Sequence, residues 1–177
     1  MKVFYVAFLT ENTLSGVNKK IFQQACSLIE VGLDLCLIMI SSNALTELYP
    51  FSTLGNVIFL DDWKCTLPPV RRIQKIRKIR RILDGASQTN DSIIYMRYTP
   101  PDFSLLRLAK KYSNRIITEH QTFELHEWFS NHNWLPLLFE VLLGKRIRQY
   151  IGGFSGVTSE ICKYELLRAG KNIPSFV

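Results

Sequence analysis

The sequence predicts an α/β chain built on a doubly wound parallel sheet with helices on both faces. Three observations carry this reading. Short apolar runs do not alternate with polar residues, segments of helical period lie between them, and glycines stand where those segments end. A strand apolar at every position is buried on both faces, which requires helices above and below the sheet. Regular alternation of such strands with helices implies parallel crossovers.

The elements follow in order. Residues 3–9 read as a buried first strand. Val17, Ile21, Phe22, Ala25, Leu28 and Ile29 then fall on one helix face, and Gly32 stands where C-terminal helix glycines stand. Residues 33–40 and 57–60 read as the second and third strands. Val70, Ile73, Ile76, Ile79 and Leu83 line one face of a helix over 70–83, and 92–96 is a fourth strand. Thr99-Pro100-Pro101-Asp102 reads as a helix start with Thr99 as cap. Leu105, Leu106, Leu108, Ala109 and Tyr112 continue that helix. Residues 115–118 are a fifth strand, 135–150 a helix, 154–158 a sixth strand, and Ser159–Ala169 a helix closed by Gly170. Residues 173–177 begin a seventh strand, and the chain stops on this unfinished apolar run. The expectation is a single Rossmann-like domain, residues 1–177, belonging to a longer protein.

Composition bounds the function. Of 177 residues, 47% are hydrophobic and 21% charged, which excludes disordered and collagen-like chains. The longest apolar runs, 33–40 and 135–143, fall well short of the roughly 20 residues that span a bilayer. They also contain Asp34, Pro136 and Glu140. The first nine residues hold one Lys and an apolar run of seven, too short for a secretory leader. Cys26, Cys36, Cys65 and Cys162 form no CxxC pair, so neither a zinc site nor a disulfide framework is expected. Four reduced thiols indicate a cytoplasmic chain.

Lys and Arg total 22 against 15 Asp and Glu, a formal net charge of +7. Seven cations, Arg71, Arg72, Lys75, Arg77, Lys78, Arg80 and Arg81, lie within 71–81 with no acid among them and equal the whole excess. They share a helix with an apolar stripe. Such a face suits anionic lipid headgroups at the inner surface of a membrane, where each basic charge contributes about 1 kcal/mol. Nucleic acid is not expected, because no aromatic platform accompanies the run.

Ligands of doubly wound sheets bind at the carboxyl ends of the strands. After the first strand, Ser15-Gly16-Val17 opens a helix, and Gly16 lets a backbone approach an anion. The dinucleotide pattern GxGxxG and the P-loop pattern GxxxxGK[ST] are both missing, which argues against NAD binding and ATP hydrolysis. Arg97-Tyr98 leaves the fourth strand, an arginine and an aromatic suited to an anion or a sugar face. Thr118-Glu119-His120-Gln121-Thr122-Phe123-Glu124 leaves the fifth. Its Glu–His pair belongs to the densest titratable cluster, and histidine exchanges protons near neutral pH. His120, His126 and His132 recur every six residues, which matches no regular metal-ligand face, so no metal is expected.

Taken together these features resemble the N-terminal domain of a family 4 glycosyltransferase with the GT-B fold. The resemblance rests on the first strand, Ser15-Gly16-Val17, Ile94-Tyr95-Met96-Arg97-Tyr98, Thr118-Glu119-His120 and Gly156-Val157-Thr158-Ser159. It implies a retaining enzyme that moves a sugar from a nucleotide-sugar donor to a glycan or lipid-linked acceptor in polysaccharide or glycoconjugate synthesis. It implies no cofactor. The donor-binding C-terminal domain of that fold, with its paired glutamates, is absent from these residues. By the same resemblance, Ser15 and Gly16 approach the donor phosphates, His120 lies beside the transferred sugar, and Arg97, Tyr98, Glu119 and Glu124 line the acceptor cleft. The competing reading is a non-catalytic α/β module that binds an anionic small molecule or a membrane surface.

Overall fold

A computed structural model of the chain describes residues 1–8, 16–41, 50–61, 68–86 and 91–177. It divides into two compact units, Met1–Ile94 and Tyr95–Val177.

In the first unit, β1 (Lys2–Phe8) runs parallel to β2 (Asp34–Ser41), with Val6 opposite Ile38. β2 in turn runs parallel to β3 (Val57–Asp61). Val3 to Ala7 of β1 and Leu35 to Ile40 of β2 are buried without a break, as expected of strands covered on both faces. Helix α1 (Gly16–Glu30) turns Asn18, Ile21 and Ala25 inward. It ends at Gly32, whose φ of 78° lets the Leu33 N–H donate back to the Leu28 carbonyl at 3.2 Å.

Helix α2 (Pro68–Ala86) is longer than its apolar period suggests. Ile76, Ile79 and Leu83 are buried, Ile73 is half-buried, and Val70 is exposed, so the inward stripe begins later than the sequence implies. Arg77, Arg80 and Arg81 are exposed, whereas Arg72, Lys75 and Lys78 are half-buried. Arg80 also faces Asp84 at 3.7 Å, so the basic face carries an acid one turn beyond the cationic run. The Arg71 side chain lies outside the described set.

β4 (Ser92–Arg97) is shared by the two units. Among the described residues the sheet has seven parallel strands in the order β3-β2-β1-β4-β5-β6-β7, reversing direction of growth between β1 and β4. This is the doubly wound, Rossmann-like topology predicted from the strand pattern.

The second unit adds α3 (Phe103–Lys111), β5 (Ile116–His120), α4 (Glu124–Ser130), β6 (Gly153–Gly156), α7 (Ser159–Ala169) and β7 (Ser175–Phe176). Between α4 and β6 runs a helix in three parts: α5 (Trp134–Phe139), a wide π turn (Glu140–Gly144) and α6 (Lys145–Tyr150). β5 pairs with β6 and β6 with β7, both parallel.

Three expectations are corrected here and one helix is added. Thr99 does not cap α3; Asp102 does, its Oδ1 accepting the Leu105 N–H at 2.7 Å. Two consecutive prolines delay the helix, because a residue before proline is pushed out of helical conformation. The sixth strand stops at Gly156, and Thr158 caps α7 by accepting the Ile161 N–H. The helix expected over 135–150 is not uniform, since its middle turn widens. Helix α4 has no counterpart in the sequence reading, because its inward residues are Glu124 and Trp128 and a buried glutamate breaks the apolar period.

The cap assignment predicts that Asp102→Ala destabilises the protein by about 1 kcal/mol, lowering Tm by roughly 2–4 °C. Thr99→Val should be neutral or stabilising in the same thermal melts, because Thr99 Oγ1 is buried without a hydrogen-bond partner.

Candidate functional site

The carboxyl ends of β4 and β5 open onto a buried polar cluster that lies wholly within the second unit. Tyr98 follows β4, His120 ends β5, and Glu124 begins α4. Glu140 opens the π turn, Arg148 sits in α6, and Glu165 and Arg168 lie on α7. Six places along the second unit therefore each deliver at least one polar side chain to one cluster.

Arg148 is the hub. Its Nε donates to Glu165 Oε2 at 2.6 Å, and its Nη1 donates to Glu140 Oε1 at 2.5 Å and to the Tyr98 hydroxyl at 3.1 Å. Its guanidinium carbon lies 4.8 Å from the Tyr98 ring centroid. The Tyr98 hydroxyl donates to Glu140 Oε2 at 2.8 Å. Arg168 reaches both carboxylates from α7, pairing with Glu140 and, at 3.4 Å, with Glu165. Arg148, Glu140 and Glu165 are removed from water, so these contacts act in a medium where an unpaired charge is costly.

His120 joins the cluster from the sheet. It touches no solvent. Its Nε2 lies 3.1 Å from Thr118 Oγ1, and its Nδ1 lies 3.1 and 3.2 Å from the two Glu124 oxygens. Glu165 Oε2 is 3.8 Å from the same Nδ1. The ring stacks on Tyr98 at 4.7 Å and meets Phe154 edge-on at 5.5 Å.

The electrostatics follow from this geometry. Burial raises the Tyr98 pKa well above the usual phenol value, and the neighbouring carboxylates add to that, so Tyr98 stays a neutral donor. Burial alone would depress Arg148. Tyr98, Glu140 and Glu165 outweigh it, and the pKa rises. For Glu165 burial works upward, but His120, Arg148 and Arg168 together pull the carboxyl below its ordinary value. The ionised pair is therefore the stable form.

Gly144 shows how local backbone serves the cluster. A Cβ built there would lie 2.2 Å from Glu140 Oε1 and 2.8 Å from Arg148 Nη1. The ion pair passes directly over this residue, so no side chain fits. Glycine inside a helix costs about 1 kcal/mol relative to alanine, and the π turn sits at the same place, as such bulges often sit at special sites.

Of the residues singled out from sequence, Tyr98, His120 and Glu124 are brought into direct contact. Arg97 ends β4 half-buried, and Glu119 is buried beside His120 in β5, its carbonyl accepting the Tyr98 N–H at 2.8 Å. Gly16 belongs to the first unit and opens α1 with open space where a Cβ would be. Ser15 lies outside the described residues. Sequence reasoning missed Glu140, Arg148, Glu165 and Arg168. The signal was present in Glu140, Gly144 and Arg148, which recur every four residues on the same helix face as buried Leu143 and Ile147.

The cluster also brings His120, Glu124 and Glu165 ligand atoms within 4.8 Å of one another. Glu165 is already paired with Arg148 and Arg168, and Glu124 faces the His120 ring.

The fold is shared with a solved glycosyltransferase. The crystal structure of a glycosyltransferase from Rickettsia africae ESF-5 matches over 99% of this chain, with a TM-score of 0.53 and 15% sequence identity. This chain spans 41% of the length of that protein. No protein-family model and no curated protein matches the sequence. At this identity the likeness establishes a glycosyltransferase-like α/β fold.

Removing the hub should be severe. Arg148→Met leaves the buried Glu140 and Glu165 carboxylates with only the half-buried Arg168 as cation, and a loss of about 3–5 kcal/mol is expected in urea unfolding. A loss under about 1 kcal/mol would show that the cluster is not ionised as described.

Proposed function

We propose that residues 1–177 form the acceptor-side, N-terminal part of a retaining, family 4 type glycosyltransferase. The reading is supported chiefly by the match of nearly the whole chain to a glycosyltransferase fold, together with a polar cluster at the strand ends where doubly wound folds bind ligands. The donor would be a nucleotide sugar, bound mainly by a C-terminal domain outside these residues. The acceptor would be a glycan or lipid-linked glycan, and the setting polysaccharide or glycoconjugate synthesis in the cytoplasm.

In this reading the chemistry is electrostatic. Transfer places developing charge on a leaving phosphate, which preorganised N–H groups and cations stabilise. Ser15 and Gly16 approach the donor phosphates through the start of α1. Arg97, Tyr98, Glu119 and Glu124 line the acceptor side. His120 orients Glu124 and Tyr98 from below rather than moving a proton, because both its ring nitrogens have partners and it is out of solvent.

The second reading is a non-catalytic α/β module that binds an anionic small molecule or a membrane surface. The two separate in a transfer assay. Full-length protein carrying His120→Ala should lose at least about tenfold in kcat with little change in donor KM. Full retained transfer would remove His120 from the site. Absence of transfer by the wild type with any nucleotide sugar, alongside saturable binding of anionic ligands, would favour the binding module.

The basic face of α2 supplies a peripheral attachment to anionic membrane. Charge reversal at Arg77, Lys78 and Arg81 should weaken co-sedimentation with phosphatidylglycerol vesicles at low salt, since each basic charge there is worth about 1 kcal/mol. Unchanged co-sedimentation would exclude this face.

A further inference from the structure

The helix running from Trp134 to Tyr150 buries charge beside Leu143 and Ile147 and leaves a further apolar row outside. Its inward row holds Glu140 and Arg148, fully buried in the ionic cluster. Its outward row holds Trp134, Leu135, Leu138, Val141 and Leu142, between 54% and 69% exposed. A helix on the surface of a water-soluble fold ordinarily does the reverse. Beyond Leu142 the outward row continues as Lys145, Arg146 and Gln149, all exposed. No acid stands anywhere in that outward row. At its N-terminal end Phe129 is also exposed and meets Trp134 edge-on at 5.9 Å.

We propose that this outward row is a lipid-inserting face that lies in the interface of an anionic bilayer. The outward row has what such a helix needs: an apolar block with aromatics at one end, and cations at the other that can reach headgroup phosphates. Among the described residues no helix is long and apolar enough to cross a membrane. The segment of 6, 5 and 6 residues is about 25 Å long at 1.5 Å per residue, and the buried ion pair on its inner side ties it to the protein. It can lie on a membrane but not span one.

The charge pattern selects the occupant. A second copy docked on this row would offer Lys145 and Arg146 no carboxylate from the same row. Headgroup phosphates offer one negative charge per lipid, which meets both cations. The face is independent of sugar transfer and differs from α2 in kind, because apolar insertion survives salt that screens a purely basic surface.

The test uses the full chain with phosphatidylglycerol–phosphatidylcholine vesicles and with phosphatidylcholine vesicles alone. The wild type should co-sediment with the anionic vesicles, shift its tryptophan emission to the blue, and keep part of its binding in high salt. Leu138→Glu with Val141→Glu should lose about tenfold or more in apparent affinity, with thermal unfolding unchanged because both sites are exposed. Trp134→Phe should abolish most of the blue shift. Salt-resistant binding unchanged in the double variant would overturn the proposal. So would a wild type that ignores vesicles but sediments as a dimer split by the double variant, which would assign the face to a second copy.

Discussion

A single guanidinium organises the second half of this molecule. Arg148 is buried and bonded to Glu140, Glu165 and Tyr98. A buried charge is tolerated only where partners surround it. That requirement reaches outward through the chain. It brings α7 against α6 through Glu165, holds Tyr98 at the end of β4, and forbids a side chain at Gly144. It also shares Glu165 with His120, whose Nδ1 lies 3.8 Å from that carboxylate.

The same constraint explains the outward apolar row. Since the inward face of residues 134–150 is given to the ion pair, its apolar residues are left outside. Leu143 and Ile147 still pack inward, so the helix is anchored by both kinds of contact. The outward leucines therefore cannot be absorbed by a small rotation, because rotation would pull Glu140 and Arg148 apart from their partners. An apolar face fixed in this way suits a partner that is itself apolar, as a lipid interior is.

Much of the fold was legible in order and type. Apolar runs in 3–9 and 33–40 announced strands covered on both faces, and glycines at 32 and 170 marked two helix ends, each with positive φ. What failed did so for local reasons. Pro100 and Pro101 moved a cap from Thr99 to Asp102, and Glu124 hid a helix because an inward carboxylate looks like a solvent residue to any periodicity argument. For the site, Tyr98 and His120 at strand ends, and Glu124 in the segment that leaves the fifth strand, were legible because topology puts strand ends together. Glu140, Arg148, Glu165 and Arg168 were not, because ionisable residues on helices ordinarily face water.

By itself, then, the sequence determined a parallel α/β sheet, the succession of its strands along the chain, and the concentration of charge on α2. Those properties depend on local hydrophobicity and turn chemistry, which are written residue by residue. Only the tertiary structure decided that two arginines and three glutamates meet around a histidine, and that a leucine-rich row is left facing outward. Both depend on partners up to 50 residues apart in the chain, as Tyr98 and Arg148 are. Burial reverses the meaning of a charged residue only once its partner is known to be beside it.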